Sequence, residues 1–173
     1  MTERWYVLRS KPSRETELCC CARSRGHEVY YPTLPADATT PQAHPYFPGM
    51  LFVRADLTRV SSLDFRWLPY SRGLISVGGR PAWVEERVVR AIQAKVASIW
   101  DKEGAAFERA DGIEDVFEHE EWIQAYSVIL DAGASGFERV CVLLAMLTDG
   151  HESFERAESP LQRPVRRIPT PEA

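Results

Sequence analysis

No stretch of the 173-residue chain approaches the roughly 18 consecutive apolar residues that a membrane span needs. The opening residues, MTERWYVLRS, lack the charged-then-apolar pattern of an export signal. Both absences predict a soluble, cytoplasmic protein with no membrane partner. Cysteine is scarce and poorly spaced for chemistry. Cys19, Cys20 and Cys21 are adjacent, and neighbours on a helix point about 100° apart, so they cannot converge on one metal. Cys141 stands alone in an apolar run and no CxxC pair exists, so neither a disulfide framework nor a zinc site is expected.

Catalytic patterns are missing as well. HEEWI (119–123) begins like a zinc-protease HExxH, but Ile123 stands where the second histidine must be one turn on. His151-Glu152 fails in the same way. Gly78-Gly79 is too short for a phosphate loop and suits a hairpin turn that requires positive φ. The carboxylates of residues 108–121 read as the solvated face of a helix, and no serine has a recognisable base. The sequence therefore predicts no enzyme, no catalytic residue and no cofactor.

What is present is divided by charge. Residues 1–100 hold 14 Lys and Arg against 9 Asp and Glu, a balance of +5; the rest hold 7 against 16, a balance of −9. Such asymmetry points to a basic surface for a polyanion and an acidic second half that can be attracted to it. RWYVLRS (4–10) reads as a strand. SRETELCCCARSRG (13–26) reads as a helix, with Ser13 as its cap, acids in the first turn, Arg23 and Arg25 in the last, and Gly26 beyond. HEVYYPTLP (27–35) and GMLFVRAD (49–56) are further strands. Thr58 is placed to cap a short helix, LISV (74–77) is a fourth strand, and VEERVVRAIQAKVASIW (84–100) has apolar residues at helical spacing. The order predicts an α+β fold, a four-stranded antiparallel sheet of ferredoxin-like order with helices against one face.

FPGMLFVRADL (47–57) is one of the most apolar runs in the chain. Alternate strand residues share a face, so Met50 and Phe52 point one way while Leu51 and Val53 point the other. Helices against one face would leave large apolar groups exposed on the other, which marks a partner site. WYVLRSKPSRE, RSRGHEVYYP, HPYFPGMLFVRADL and YSRGLISVGGRPAWV resemble, in order and spacing, the N-terminal domain of the NusG family of transcription elongation factors. The resemblance covers residues 4 to about 96. It implies an apolar depression, lined by Phe47, Pro48, Met50 and Phe52 and walled by Val89 and Ile92, that receives the clamp helices of the largest RNA polymerase subunit. Arg9 holds a position that is often aromatic in the family. A basic edge formed by Lys11, Arg14, Arg23 and Arg72, with Trp67 or Tyr70 to stack on a base, would face the non-template DNA strand of the transcription bubble. A nucleic-acid-modifying enzyme and an RNA-binding sheet are alternatives. The missing carboxylate cluster speaks against the first and the apolar character of MLFV against the second.

The expected organisation is an N-terminal domain (1–100), a linker (101–112), a small second domain (113–158) and a disordered tail (159–173). Family members carry a KOW β-barrel in the second half, but DGIEDVFEHEEWIQAYSVIL lacks the glycines of the KOW turn. It reads instead as a helix stopped near Gly133. Ser135 and Glu138 form a capping box that opens a second helix through Leu147, stopped by Gly150. YSVIL and VCVLL are β-branched enough to pair as strands, so the barrel stays open as the alternative. This pattern resembles the specialised RfaH-like branch of the family. That resemblance implies an acidic α-hairpin masking the groove around Phe47 to Phe52 in the free protein, released by polymerase and DNA. A ribosomal small-subunit protein is a further implied partner of the second half. A housekeeping factor with a KOW barrel is the alternative within the family.

Overall fold

The computed structural model of the chain describes residues 3–36, 42–101, 120–131 and 133–158. The expected tail, and the expected linker beyond residue 101, lie outside them.

Strand β1 (Arg4–Ser10) is the centre of the sheet. On one side it pairs antiparallel with β5 (Met50–Ala55), with Val7 opposite Phe52 and Leu8 opposite Leu51. β5 in turn pairs with β2 (Glu28–Tyr30). The other edge of β1 is shared: β6 (Ser71–Leu74) pairs with its last residues, and β9 (Trp83–Val84) pairs with Trp5 and Tyr6. The sheet is thus the expected four-stranded antiparallel path with a short fifth strand added on one edge. Two small hairpins flank it, β3 (Thr33–Leu34) with β4 (His44–Pro45), and β7 (Ser76–Val77) with β8 (Arg80–Pro81). The expected strand 74–77 is therefore divided, because Ile75 leaves β6 before Ser76 begins the second hairpin. Gly78 and Gly79 turn that hairpin at φ +58° and +81°, conformations that cost glycine nothing.

Helices cover both faces, which corrects the expectation of one. The alternation of β1 and β5 explains it, since both sets of alternate residues are apolar. On one face Tyr6, Leu8, Leu51 and Val53 pack with Leu18, Cys19 and Ala22 of α1 (Glu15–Ser24) and Phe65 of α2 (Ser62–Arg66). On the other, Trp5, Val7, Met50 and Phe52 pack with Val88, Val89, Ile92 and Val96 of α3 (Glu86–Asp101). The Trp5 indole N–H donates to Glu86 Oε2 at 2.9 Å and pins the first turn of α3 to the sheet.

Two expected caps move. Ser13 does not cap α1; it occupies a turn at φ +54°, and α1 begins after Arg14 with no side-chain cap. Thr58 bonds Asp56 within a turn, while Ser61 caps α2 and Asp64 returns a bond to the Ser61 amide.

Residues 120–158 hold two helices and, among the described residues, no strand: α4 (Glu120–Leu130) and α5 (Gly136–Glu158). The capping box forms as read, with the Ser135 amide donating to Glu138 at 2.7 Å and the Glu138 amide to Ser135 Oγ at 3.2 Å. Gly150 does not end α5, which continues to Glu158. A single glycine inside a long helix costs only about 1 kcal/mol, too little to terminate it. Among the described residues, no helix is long and apolar enough to cross a membrane, and no three His, Cys, Asp or Glu side chains gather to hold a metal.

Candidate binding groove and basic edge

The groove starts at a turn. The Met50 amide donates to the Phe47 carbonyl at 3.1 Å, with Pro48 and Gly49 between them and Gly49 at φ +78°. This is the arrangement of a type II turn, which wants proline first and a glycine next. The turn delivers Phe47 edge-on to Phe52 at 5.6 Å between centroids, and Tyr46 edge-on to Phe47 at 5.1 Å. Phe47, Met50 and Phe52 of the expected lining thus meet Val89 and Ile92 of the expected wall in one cluster, all of them buried. Pro48 differs: it is exposed at the rim.

The groove is covered by the chain's own second half. Tyr126, Ile129 and Leu130 of α4 and Leu143, Met146 and Leu147 of α5 belong to the same continuous cluster and are buried in it. At about 1.5–3 kcal/mol per buried apolar side chain, this contact is on the order of 10 kcal/mol before ordering costs, so only a strong competitor displaces it.

Polar contacts fix its position. The Tyr46 hydroxyl donates to the Ile129 carbonyl at 2.6 Å, in buried surroundings. The Arg139 guanidinium lies 3.9 Å from the Tyr46 ring centroid and donates from Nη2 to the Asp131 carbonyl at 2.8 Å. These two carbonyls are at the end of α4, where a helix leaves acceptors without internal partners. One is satisfied by a groove residue and the other by α5. Burial raises the Tyr46 pKa, and the facing Arg139 opposes the rise. Burial raises that of Tyr126 too. Both phenols stay neutral.

Gly136 sets the closeness of approach. A methyl added there would lie 2.8 Å from Cγ and Cδ of Pro48. Real carbon–carbon contacts of this kind are wider, so the first turn of α5 sits against the Pro48 ring only because residue 136 has no side chain.

Beyond the end of β1, the residues expected to meet nucleic acid are partly gathered. The Lys11 amide donates to the Tyr70 carbonyl at 2.8 Å, and the Arg14 guanidinium is 5.6 Å from the Tyr70 ring centroid. Trp67 is 76% exposed at the end of α2, with Leu63 57% exposed one turn before it. Arg72 is exposed on β6. Tyr70 itself has φ +66°, an uncommon conformation for a non-glycine residue. Arg14 is paired with Glu17 at 2.6 Å, so a phosphate must compete with that carboxylate. Arg23 stands at the far end of α1, about 13 Å from Arg14 along the axis, and its Nη2 donates to the Val29 carbonyl at 3.0 Å. That bond ties the exposed Arg23 to β2, at the opposite end of α1 from Arg14.

Sequence reasoning missed Tyr46, Gly136 and Arg139. Tyr46 was visible as a large aromatic next to Phe47-Pro48. Arg139 was visible as a cation on the stripe that continues through Leu143, Met146 and Leu147, a charge where a core residue was due.

Residues 3–93, more than half of the chain, match the family model described as "NusG: Transcription termination factor nusG". Among solved structures the chain is similar to one described as "Domain interaction in Thermotoga maritima NusG", with 20% identity and a TM-score of 0.45. That similarity covers 64% of this chain and 63% of the Thermotoga maritima chain, so less than two thirds of the latter is spanned. A search of curated proteins finds no match.

Proposed function

The chain belongs to the NusG family of transcription elongation and termination factors, and from that premise we propose that it is an RfaH-like antitermination regulator, autoinhibited in its free form. The groove around Phe47, Met50 and Phe52, with Pro48 at its rim and Val89 and Ile92 as its wall, receives the clamp helices of the largest RNA polymerase subunit in the cytoplasm. Lys11, Arg14 and Arg72, with Trp67 and Tyr70, meet the exposed non-template strand. Arg23, exposed at the other end of α1, extends that basic edge. The chain acts by binding and carries out no chemistry.

The observation that carries this reading is the helical cover: α4 and α5 bury their apolar side chains in the same cluster as Phe47, Phe52 and Ile92. A groove masked in this way is closed to any partner until the hairpin leaves. A ligand moves such an equilibrium only by its differential affinity for the open form. Polymerase and DNA must therefore act together, which confines action to selected transcription units. Once released, the second half converts to a KOW-type barrel, which can then recruit a ribosomal small-subunit protein.

The test is capture of RNA polymerase by residues 1–101 and by the full chain. The short form should bind tightly and the full chain weakly, with DNA bearing an open bubble restoring binding. Equal capture by both forms rejects masking, and no capture by either rejects the polymerase site.

A further inference from the structure

The groove turn and the basic edge are joined by one buried carboxylate. Glu15, the first residue of α1, is only 8% exposed although charged. Its Oε1 accepts from the Gly49 amide at 2.9 Å, across 34 positions of sequence. Gly49 is thereby held twice, since its carbonyl accepts from the Ser10 amide at 2.9 Å. Ser10 ends β1, and the next residue, Lys11, is bonded through its amide to Tyr70. Lys11 and Arg14 belong to one tight turn, with the Arg14 amide on the Lys11 carbonyl at 3.2 Å and Ser13 at φ +54° between them. A displacement of that turn moves the backbone of Glu15 directly, and the Pro48-Gly49 corner with it.

We propose that Glu15 is a positioning residue that couples the two surfaces: phosphate engaging Lys11 and Arg14 is transmitted through the Glu15–Gly49 hydrogen bond to the turn that bears Phe47 and Pro48. The inference rests on the functional reading above and adds to it a route by which nucleic acid loosens the hairpin, because Pro48 is the residue that Gly136 abuts. Coupling of this kind is reciprocal, so the state of the groove also alters affinity at the basic edge.

The experiment uses amide NMR of the full chain with a single-stranded DNA 12-mer at low salt. In the unsubstituted protein the Gly49 amide should be protected from exchange, and its resonance should shift as the oligonucleotide saturates. Glu15→Ala should lower that protection about tenfold or more, as loss of one buried hydrogen bond does, and should reduce the shift to the part carried by the Ser10–Gly49 bond. Glu15→Gln retains an acceptor and should preserve both. A shift undiminished in Glu15→Ala, loss of the shift in Glu15→Gln, or free exchange of Gly49 in the unsubstituted protein overturns the proposal. If Glu15→Ala fails to fold by circular dichroism, the glutamine variant and the unsubstituted protein still decide. Oligonucleotide binding without a Gly49 shift overturns the coupling and leaves the basic edge standing. No binding to the unsubstituted chain removes both.

Discussion

Replacing Gly136 by alanine should open the groove with no groove residue changed. The added methyl would lie 2.8 Å from two ring carbons of Pro48, and a proline ring cannot swing aside as a flexible side chain would. Overpacking of this kind costs about 1–3 kcal/mol. Alanine is also a better helix former than glycine by about 1 kcal/mol. That gain belongs to a helix interior, and Gly136 is the first residue of α5, so it does not offset the clash at the interface. The closed form therefore loses about 1–3 kcal/mol relative to an open one, an increase of about 5- to 150-fold in the open-to-closed ratio. The assay is the affinity of the full chain for core RNA polymerase, which should rise by that factor until it reaches the value for residues 1–101. Pro48→Ala removes the wall that the methyl strikes, so the double variant should recover most of the closure, as a coupled pair in contact does. An unchanged affinity in Gly136→Ala, or additive effects in the double variant, would show that α5 does not press on Pro48.

Two other perturbations address the remaining parts. Tyr46→Phe keeps the ring under Arg139 but strips the Ile129 carbonyl of its donor; an unmet buried acceptor costs about 1–3 kcal/mol, so proteolysis of the hairpin under native conditions should accelerate, and an unchanged rate refutes the latch. Reversing Lys11, Arg14 and Arg72 together should weaken binding to a paused complex and flatten the plot of log affinity against log salt by about 2, from roughly 0.7 per phosphate contact on a single strand; an unaltered slope means that these side chains do not meet phosphate.

The parts of the fold that could be read in the sequence were those set by local periodicity. The faces of β5 followed from strand alternation: Met50 and Phe52 enter one cluster, Leu51 and Val53 the other. The stripe Val88, Val89, Ile92, Val96 and the Ser135–Glu138 box formed as their spacing requires. Features that depend on distant partners were not legible. Ser13 looks like a cap by type, yet the turn carrying Lys11 and Arg14 takes it into left-handed φ. Glu15 looks like an ordinary first-turn acid, and only the fold brings Gly49 beneath it. Arg139 stands on the stripe of Leu143, Met146 and Leu147, which marks its face, but the Tyr46 ring it is buried over lies almost a hundred positions away.

The same division explains why the second half reads both ways. Val128, Ile129, Val140 and Val142 suit a strand, while their offsets suit a helix. Local preference does not choose between them, and the proposed release from the groove makes docking the deciding term. α4 has 11 residues, below the roughly 12–15 at which isolated helices hold together in water. One of its final carbonyls finds its donor in Tyr46, outside the hairpin. Its buried face, at Tyr126 and Ile129, shares a cluster with Phe47 and Ile92. Separated from the groove, the hairpin loses that donor and that apolar contact together, and the β-branched residues are free to pair. Circular dichroism of residues 102–173 alone should therefore show less helix than the difference between the full chain and residues 1–101. Amide exchange should show that the carbonyls of α4 no longer hold their bonds. Equal helix in the detached half would mean that the hairpin is stable by itself, and that the groove selects its position but not its structure.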